Sequence, residues 1–225
     1  MANFGLSRLS VVAPFEPHWR EARSAVGADE LLLNAQSAET LAEAVSDCTL
    51  VVGTGSLARR GAEQIAMPLP ELGPRVAAEL ARGGRIALVF GPEKHGLTRR
   101  DLSLCHMLVE IPTHPRQPSM NLGQAVAVCL YELTARTAIG SPVHAKEPEG
   151  GPKANTAELE RLAEVIEQAM RMARYSPTGM RAANQHDLRL LLRRLALTSR
   201  DTRRILGLFR KMIWQMGSVR RGKTP

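Results

Sequence analysis

The chain has 225 residues, 44% of them hydrophobic and 23% charged, with 18 glycines and 14 prolines, the make-up of a globular protein with one large domain or a medium and a small one. No apolar run approaches the roughly 20 residues of a membrane-spanning helix, and Met1–Leu6 lacks the charged start and apolar stretch of a secretory leader, so a cytoplasmic protein without a membrane partner is expected. The net charge of +8 is lopsided, because residues 158–225 hold 15 Lys and Arg against 6 Asp and Glu while residues 1–157 are close to neutral, the asymmetry of a polyanion-binding appendage on a neutral domain.

In chain order, Leu9–Ala13 is a short apolar, β-branched run that predicts a strand. Ser37 is placed to cap a helix over Ala38–Ser46. Leu50–Thr54 predicts a second strand, and Leu72–Ala81 predicts a helix stopped by Gly83 and Gly84. Arg85–Phe90 reads as a strand. Thr98, with Asp101 three residues on, opens a short helix through something close to a capping box. Met107–Ile111 reads as a strand, and Leu122–Ala138 as a helix apolar on nearly all sides, hence buried. Strands alternating with helices predict an α/β layer structure on a mainly parallel sheet, with ligands at the carboxyl ends of the strands.

Beyond this 1–140 domain, residues 141–157 have the Pro, Gly and small polar composition of a linker. Residues 158–225 then predict a small all-helical extension, with helices over Ala157–Tyr175, Asp187–Ala196 and Thr202–Met216. Arg189, Arg193, Arg194, Arg203 and Arg204 are expected on its outer surface, available to a polyanion; a solvated helical face is the plainer reading. Cys48, Cys105 and Cys129 are odd in number and far apart, which argues for reduced thiols and against a disulfide framework or a zinc site.

Three loops each begin where a strand ends: Gly53–Ser56, Gly91–Leu97 and Pro112–Asn121. Glycines there let backbone approach a ligand. No P-loop or dinucleotide-binding glycine signature is present. Taken together the loops are specific. Phe90-Gly91-Pro92-Glu93-x-x-Gly96-Leu97 and Ile111-Pro112-x6-Ser119-Met120-Asn121-Leu122 match the second and third motifs of the SpoU/TrmH class of SPOUT RNA 2′-O-ribose methyltransferases, and the chain resembles that class. It looks most like the TrmJ branch, which methylates the tRNA anticodon loop at position 32.

The resemblance implies a deep C-terminal trefoil knot in the α/β domain, binding of S-adenosylmethionine, no metal, and a homodimer. It implies cofactor contacts at Thr54, Gly55, Ser56, Gly91, Ile111, Pro118, Ser119 and Met120, and a catalytic set of Ser119, Asn121 and Glu93. Asn121 equally suits a helix cap, and Glu93 a carboxylate that accepts backbone N–H groups from the Gly96 turn. His95 and His114 read as variable loop residues, Cys105 and His106 as core. Arg99, Arg100 and Arg116 could flank RNA phosphates. Family members also carry a first strand and an Asn-x-Gly-x-x-x-Arg motif ahead of the segment that Met1–Leu6 matches. That motif is not found in these 225 residues, and its arginine's role does not transfer to Arg8 or Arg59. The resemblance therefore implies transfer of a methyl group to tRNA, with ribosomal RNA as the alternative substrate. An RNA-binding protein on the same scaffold, with little or no transfer, is the other reading.

Overall fold

A computed structural model describes residues 1–14, 19–21, 27–55, 64–139 and 151–220. Its strands are short and all pair in parallel. β1 (Ser10–Val12) lies beside β2 (Gln36–Ala38). β3 (Leu50–Thr54), β4 (Ile65–Pro68), β5 (Ile86–Val89) and β6 (Met107–Glu110) form a second sheet in the order β4-β6-β3-β5. Leu50 pairs with Ile86 across one side of β3 and Val52 with Met107 across the other. β3 is therefore central, and Leu50, Val51 and Val52 are all buried. That two-sided burial is why β3 reads as a continuous apolar run rather than an alternating one.

The helices are α1 (Asp29–Leu33), α2 (Leu41–Ala44), α3 (Leu72–Ala81), α4 (Arg99–Ser103), α5 (Leu122–Ile139), α6 (Thr156–Met172), α7 (Arg181–Arg194) and α8 (Ser199–Arg220). Successive strand side chains point to opposite faces, and two cores result. Leu50, Val52 and Val109 pack with Leu72 and Val76 of α3 and with Cys129 and Leu133 of α5. On the other face Val51, Val89 and Leu108 pack with Leu41 of α2 and with Leu97 and Leu104, which flank α4. The protein is an α/β structure with helices on both faces of a parallel sheet.

α6, α7 and α8 share a small core of Leu162, Ala163 and Leu192 with Leu188, Ile205 and Leu206. This unit does not hang free. α6 packs on α2 and α7 on α4, and polar bonds stitch the seam. The backbone N–H and hydroxyl of the fully buried Thr156 both donate to the Cys48 carbonyl, at 2.9 and 3.1 Å, and Ala157 N–H donates to that of Ser46. Lys153 donates to the buried Glu79 of α3 at 2.6 Å.

Several expectations need correction. Ser37 lies in β2, and the cap of α2 is Thr40, whose hydroxyl accepts the Glu43 N–H. β4 went unread. α5 is not buried all round, since Tyr131 is 63% and Val128 38% exposed. α7 begins at Arg181, a full turn and more before Asp187. Of the linker span, residues 141–150 lie outside the described residues, while Lys153 forms an antiparallel bridge with Thr198 and Thr156 already opens α6.

Candidate active site

All three loops leave the carboxyl ends of neighbouring strands. At the end of β3 the Thr54 hydroxyl donates to the Val89 carbonyl of β5 at 2.9 Å, and Gly55 N–H donates to Val109 of β6 at 3.3 Å. These bonds hold the three strand exits together. After β5, the N–H groups of His95 and Gly96 both donate to the Pro92 carbonyl, at 3.2 and 2.7 Å, folding residues 92–96 into a tight turn. Gly96 has φ of +64°, which favours glycine. Gly91 is required for a different reason: a Cβ there would stand 2.3 Å from the Gly96 carbonyl carbon and 2.4 Å from the Leu97 nitrogen. Any side chain at 91 would push the turn away from the strand.

The turn runs straight into α4, where Thr98 and Asp101 form a complete capping box. After β6, the Thr113 hydroxyl donates to the Pro118 carbonyl at 3.4 Å and Gln117 N–H to that of His114 at 2.8 Å. This loop delivers Asn121 to the start of α5. Its Oδ1 accepts the N–H groups of Gly123 and Gln124, capping the helix. Its Nδ2 donates to Glu93 Oε1, which also accepts the Leu122 N–H, each at 3.0 Å. Glu93 therefore serves the start of α5 and not the Gly96 turn.

The loops enclose a cavity of about 750 Å3. Thr54, Gly55, Gly91, Ile111, Pro118, Ser119 and Met120, the residues expected to bind cofactor, all line it, and so does Glu93. Ser56 lies outside the described residues, as does Arg59. Asn121 is not in the lining; its side chain is given to the helix cap and to Glu93. The wall combines Gly55, Gly91, Gly96, Pro92 and Pro118 with apolar surface from Phe90, Leu97, Ile111 and Met120 and with the charged side chains of Glu93, Lys94, Arg99 and Glu110. Such a wall suits a small ligand held by apolar contacts and a few polar groups. His186 of α7 also reaches the rim; the packing of α7 on α4 puts it there, and no local sequence signal announces it.

Cys105 and His106 are core, as expected. Burial pushes the Cys105 thiol up to about 12. The His106 ring is held down to about 3, first by burial and then by the positive charges of Arg193 and Lys153, and its Nδ1 accepts the Val51 N–H at 3.1 Å. His114 Nδ1 accepts the Arg116 N–H within an exposed turn.

The arginines of the extension divide. Arg194, Arg203 and Arg204 are exposed. Arg193 is not on the outer surface: it is 4% exposed, donates to the Leu104 carbonyl at the end of α4 at 2.9 Å, and pairs with Glu160 at 3.0 Å. Arg189 is largely enclosed between Glu160 and Glu167, at 2.9 and 3.1 Å. Arg193 serves the seam between the helical unit and the sheet domain, whereas Arg189 ties α7 to α6 inside the helical unit.

Residues 1–131 match the model of the SpoU rRNA methylase family. A Pectobacterium atrosepticum protein named tRNA (cytidine/uridine-2′-O-)-methyltransferase TrmJ is 33% identical over 222 residues, 95% of this chain and 86% of its own length. The Pseudomonas aeruginosa tRNA (cytidine/uridine/adenosine-2′-O-)-methyltransferase TrmJ is 38% identical over 164 residues, 69% of this chain and 62% of its own. The crystal structure of TrmJ from Z. mobilis superposes with a TM-score of 0.78 at 29% identity, covering 94% of this chain and 89% of that one.

Proposed function

The chain belongs to the SpoU rRNA methylase family, and on that premise we propose that it is a tRNA 2′-O-ribose methyltransferase acting at position 32 of the anticodon loop with S-adenosylmethionine as methyl donor. The observation that carries this reading is the single cavity wall built from the two family motifs, Phe90–Leu97 and Ile111–Leu122, at the carboxyl ends of β3, β5 and β6. The donor fits that wall. Gly91 leaves the loop backbone close against the strand exit, and Ile111 and Met120 offer apolar surface.

Bound there, S-adenosylmethionine supplies a methyl group activated on a sulfonium. Transfer of that group to a ribose hydroxyl demands alignment of two reactants and removal of one proton. In this reading Thr54, Gly55 and Gly91 hold the donor through backbone, and Ile111, Pro118 and Met120 pack on it. Ser119, exposed within the lining, contacts the ribose. Glu93 and Asn121 fix the loops on either side. Ser56 belongs to the same proposal through the family motif.

Three further parts of the reading have support. The trefoil knot is consistent with the order β4-β6-β3-β5, in which the last strand lies between two earlier ones. A homodimer is favoured by the exposed stripe of Ala127, Val128 and Tyr131 on α5, on the sheet face opposite the helical extension. The exposed Arg194, Arg203 and Arg204 suit contacts to tRNA phosphates. With tRNA as substrate, the working location is the cytoplasm; no described helix is long and apolar enough to cross a membrane.

The test is transfer of labelled methyl from S-adenosylmethionine to unmodified tRNA, with nuclease mapping of the labelled nucleotide. Label at the 2′-oxygen of position 32 is expected. Label only in ribosomal RNA would move the substrate. Tight tRNA binding without label, from folded protein, would favour the RNA-binding reading.

A further inference from the structure

α8 has two unlike faces. Thr202, Ile205, Leu206, Phe209 and Ile213 are buried or half-buried, on the side of the helix that packs on α6. At 3.6 residues per turn the opposite side collects Arg200, Arg203, Arg204, Gly207, Lys211 and Trp214, every one of them exposed. Arg210, also exposed, borders this stripe, and no acidic residue interrupts it. Asp201, the one carboxylate of α8, lies to the side and accepts from the Thr198 hydroxyl at 2.6 Å.

Two members of the stripe are not explained by the packing of the chain. Gly207 lies in mid-helix, where glycine is a poor helix former. Its φ is not positive, and an added Cβ would meet no described atom within 4 Å. Neither strain nor crowding therefore calls for a glycine there. The missing side chain leaves bare backbone in the middle of a cationic stripe, where a ligand can come close. Trp214, two turns on, is 60% exposed, and the Lys211 ammonium sits 4.0 Å from its ring centroid. That contact steadies the indole as a platform for a flat partner. Guanidinium groups match phosphates and an indole matches a base; an acidic peptide would match the cations alone.

We propose that the outer stripe of α8 binds a short single-stranded stretch of the tRNA, its sugar–phosphate backbone passing over Gly207 beside Arg203 and Arg204 and an unpaired base stacking on Trp214. At 1.5 Å per residue, Arg200 and Trp214 stand about 21 Å apart along the axis, room for a few nucleotides. The inference rests on the tRNA methyltransferase reading and deepens it. The extension becomes a reader of unpaired nucleotides, beyond a purely electrostatic grip on phosphates.

The experiment measures the affinity of the full chain for unmodified tRNA across a salt series, beside Trp214→Ala, Trp214→Phe, Gly207→Gln and the double variant Arg203→Gln/Arg204→Gln. Melting temperature and molar mass in solution are recorded for each. Trp214→Ala should weaken binding about 10-fold with the salt slope unchanged, the scale of one lost stacked base. Trp214→Phe should keep most of the affinity. The double variant should flatten the log–log salt dependence by about 1.4, from roughly 0.7 for each single-strand phosphate contact. Gly207→Gln should raise the melting temperature by about 2 °C, being the better helix former, yet weaken tRNA binding about fivefold. A merely structural glycine does not produce that opposition. If Trp214→Ala and Gly207→Gln both bind tRNA as the parent does, while the parent methylates it, the inference falls and the reading of function stands. A parent chain that neither binds nor methylates tRNA removes both. A smaller molar mass for Trp214→Ala than for the parent would make the stripe an interface between copies of this chain and would also overturn the inference.

Discussion

Glu93 and Asn121 stand 28 residues apart and meet side chain to side chain at 3.0 Å, and the same Glu93 oxygen accepts the N–H of Leu122. The carboxylate thus holds the first turn of α5 against the loop after β5. The clamp ties the two motif loops to each other across two hydrogen bonds.

Glu93→Ala should therefore lower kcat/KM for methyl transfer about 10-fold, the scale of a lost charge-assisted acceptor that two donors share. Glu93→Gln should cost much less, because its amide oxygen can accept the same two bonds. Steady-state kinetics on both variants decides it. Equal losses would mean that the negative charge, and not the clamp, matters.

Arg193→Met should reduce folding stability by roughly 3 kcal/mol, as expected when one partner of an enclosed ion pair is removed. It strands Glu160 and leaves the Leu104 carbonyl without its donor. Arg194→Met, one position along on an exposed surface, should stay within about 0.5 kcal/mol. Urea unfolding of the two variants beside the parent chain reads the difference directly.

His106 gives the fold an acid sensitivity. Its folded pKa of about 3 lies below the ordinary 6.5, so between those values the unfolded chain takes up a proton that the native ring refuses. The associated stability is present above pH 6.5 and drains away as pH falls towards 3, at up to about 1.4 kcal/mol per pH unit. Unfolding curves at pH 7, 6 and 5 should show a steeper loss for the parent than for His106→Asn. Parallel losses would assign the acid sensitivity elsewhere.

Burial raises the thiols of Cys48 and Cys105 to about 12 and that of Cys129 to about 11. At pH 8 a disulfide reagent should label none of them in the native protein within minutes and all three once urea is added. Rapid native labelling of any one would place that cysteine at a surface.

What was legible in the sequence is what local chemistry dictates. The limits of α3, the Thr98–Asp101 capping box and the loops at the strand ends all announce themselves within a few residues. Ser37 misled because a serine before an Ala- and Leu-rich run looks like a cap, whereas pairing with β1 draws residues 36–38 into a strand. β4 is four residues ending in proline and carries little signal of its own. Arg193 reads as one more cation on a basic helix, and only the docking of α7 on α4 turns it inward. The Glu93 partnership is half legible: the sequence predicts a structural carboxylate, but its partner lies 28 residues on, in the loop after β6, beyond the reach of any sequence window.

The bonds from Thr156 and Ala157 back to Cys48 and Ser46, together with that from Arg193 to Leu104, have a consequence for biosynthesis. The carbonyls ahead of β3 and behind α4 receive these donors only from the last third of the chain. A nascent polypeptide on the ribosome accordingly cannot close this side of its sheet until the final helices emerge, however early the strands pair. A message cut short after α5 would therefore yield a polypeptide with a raw α2–α4 face, a client for chaperones and proteases, and not a smaller version of the enzyme.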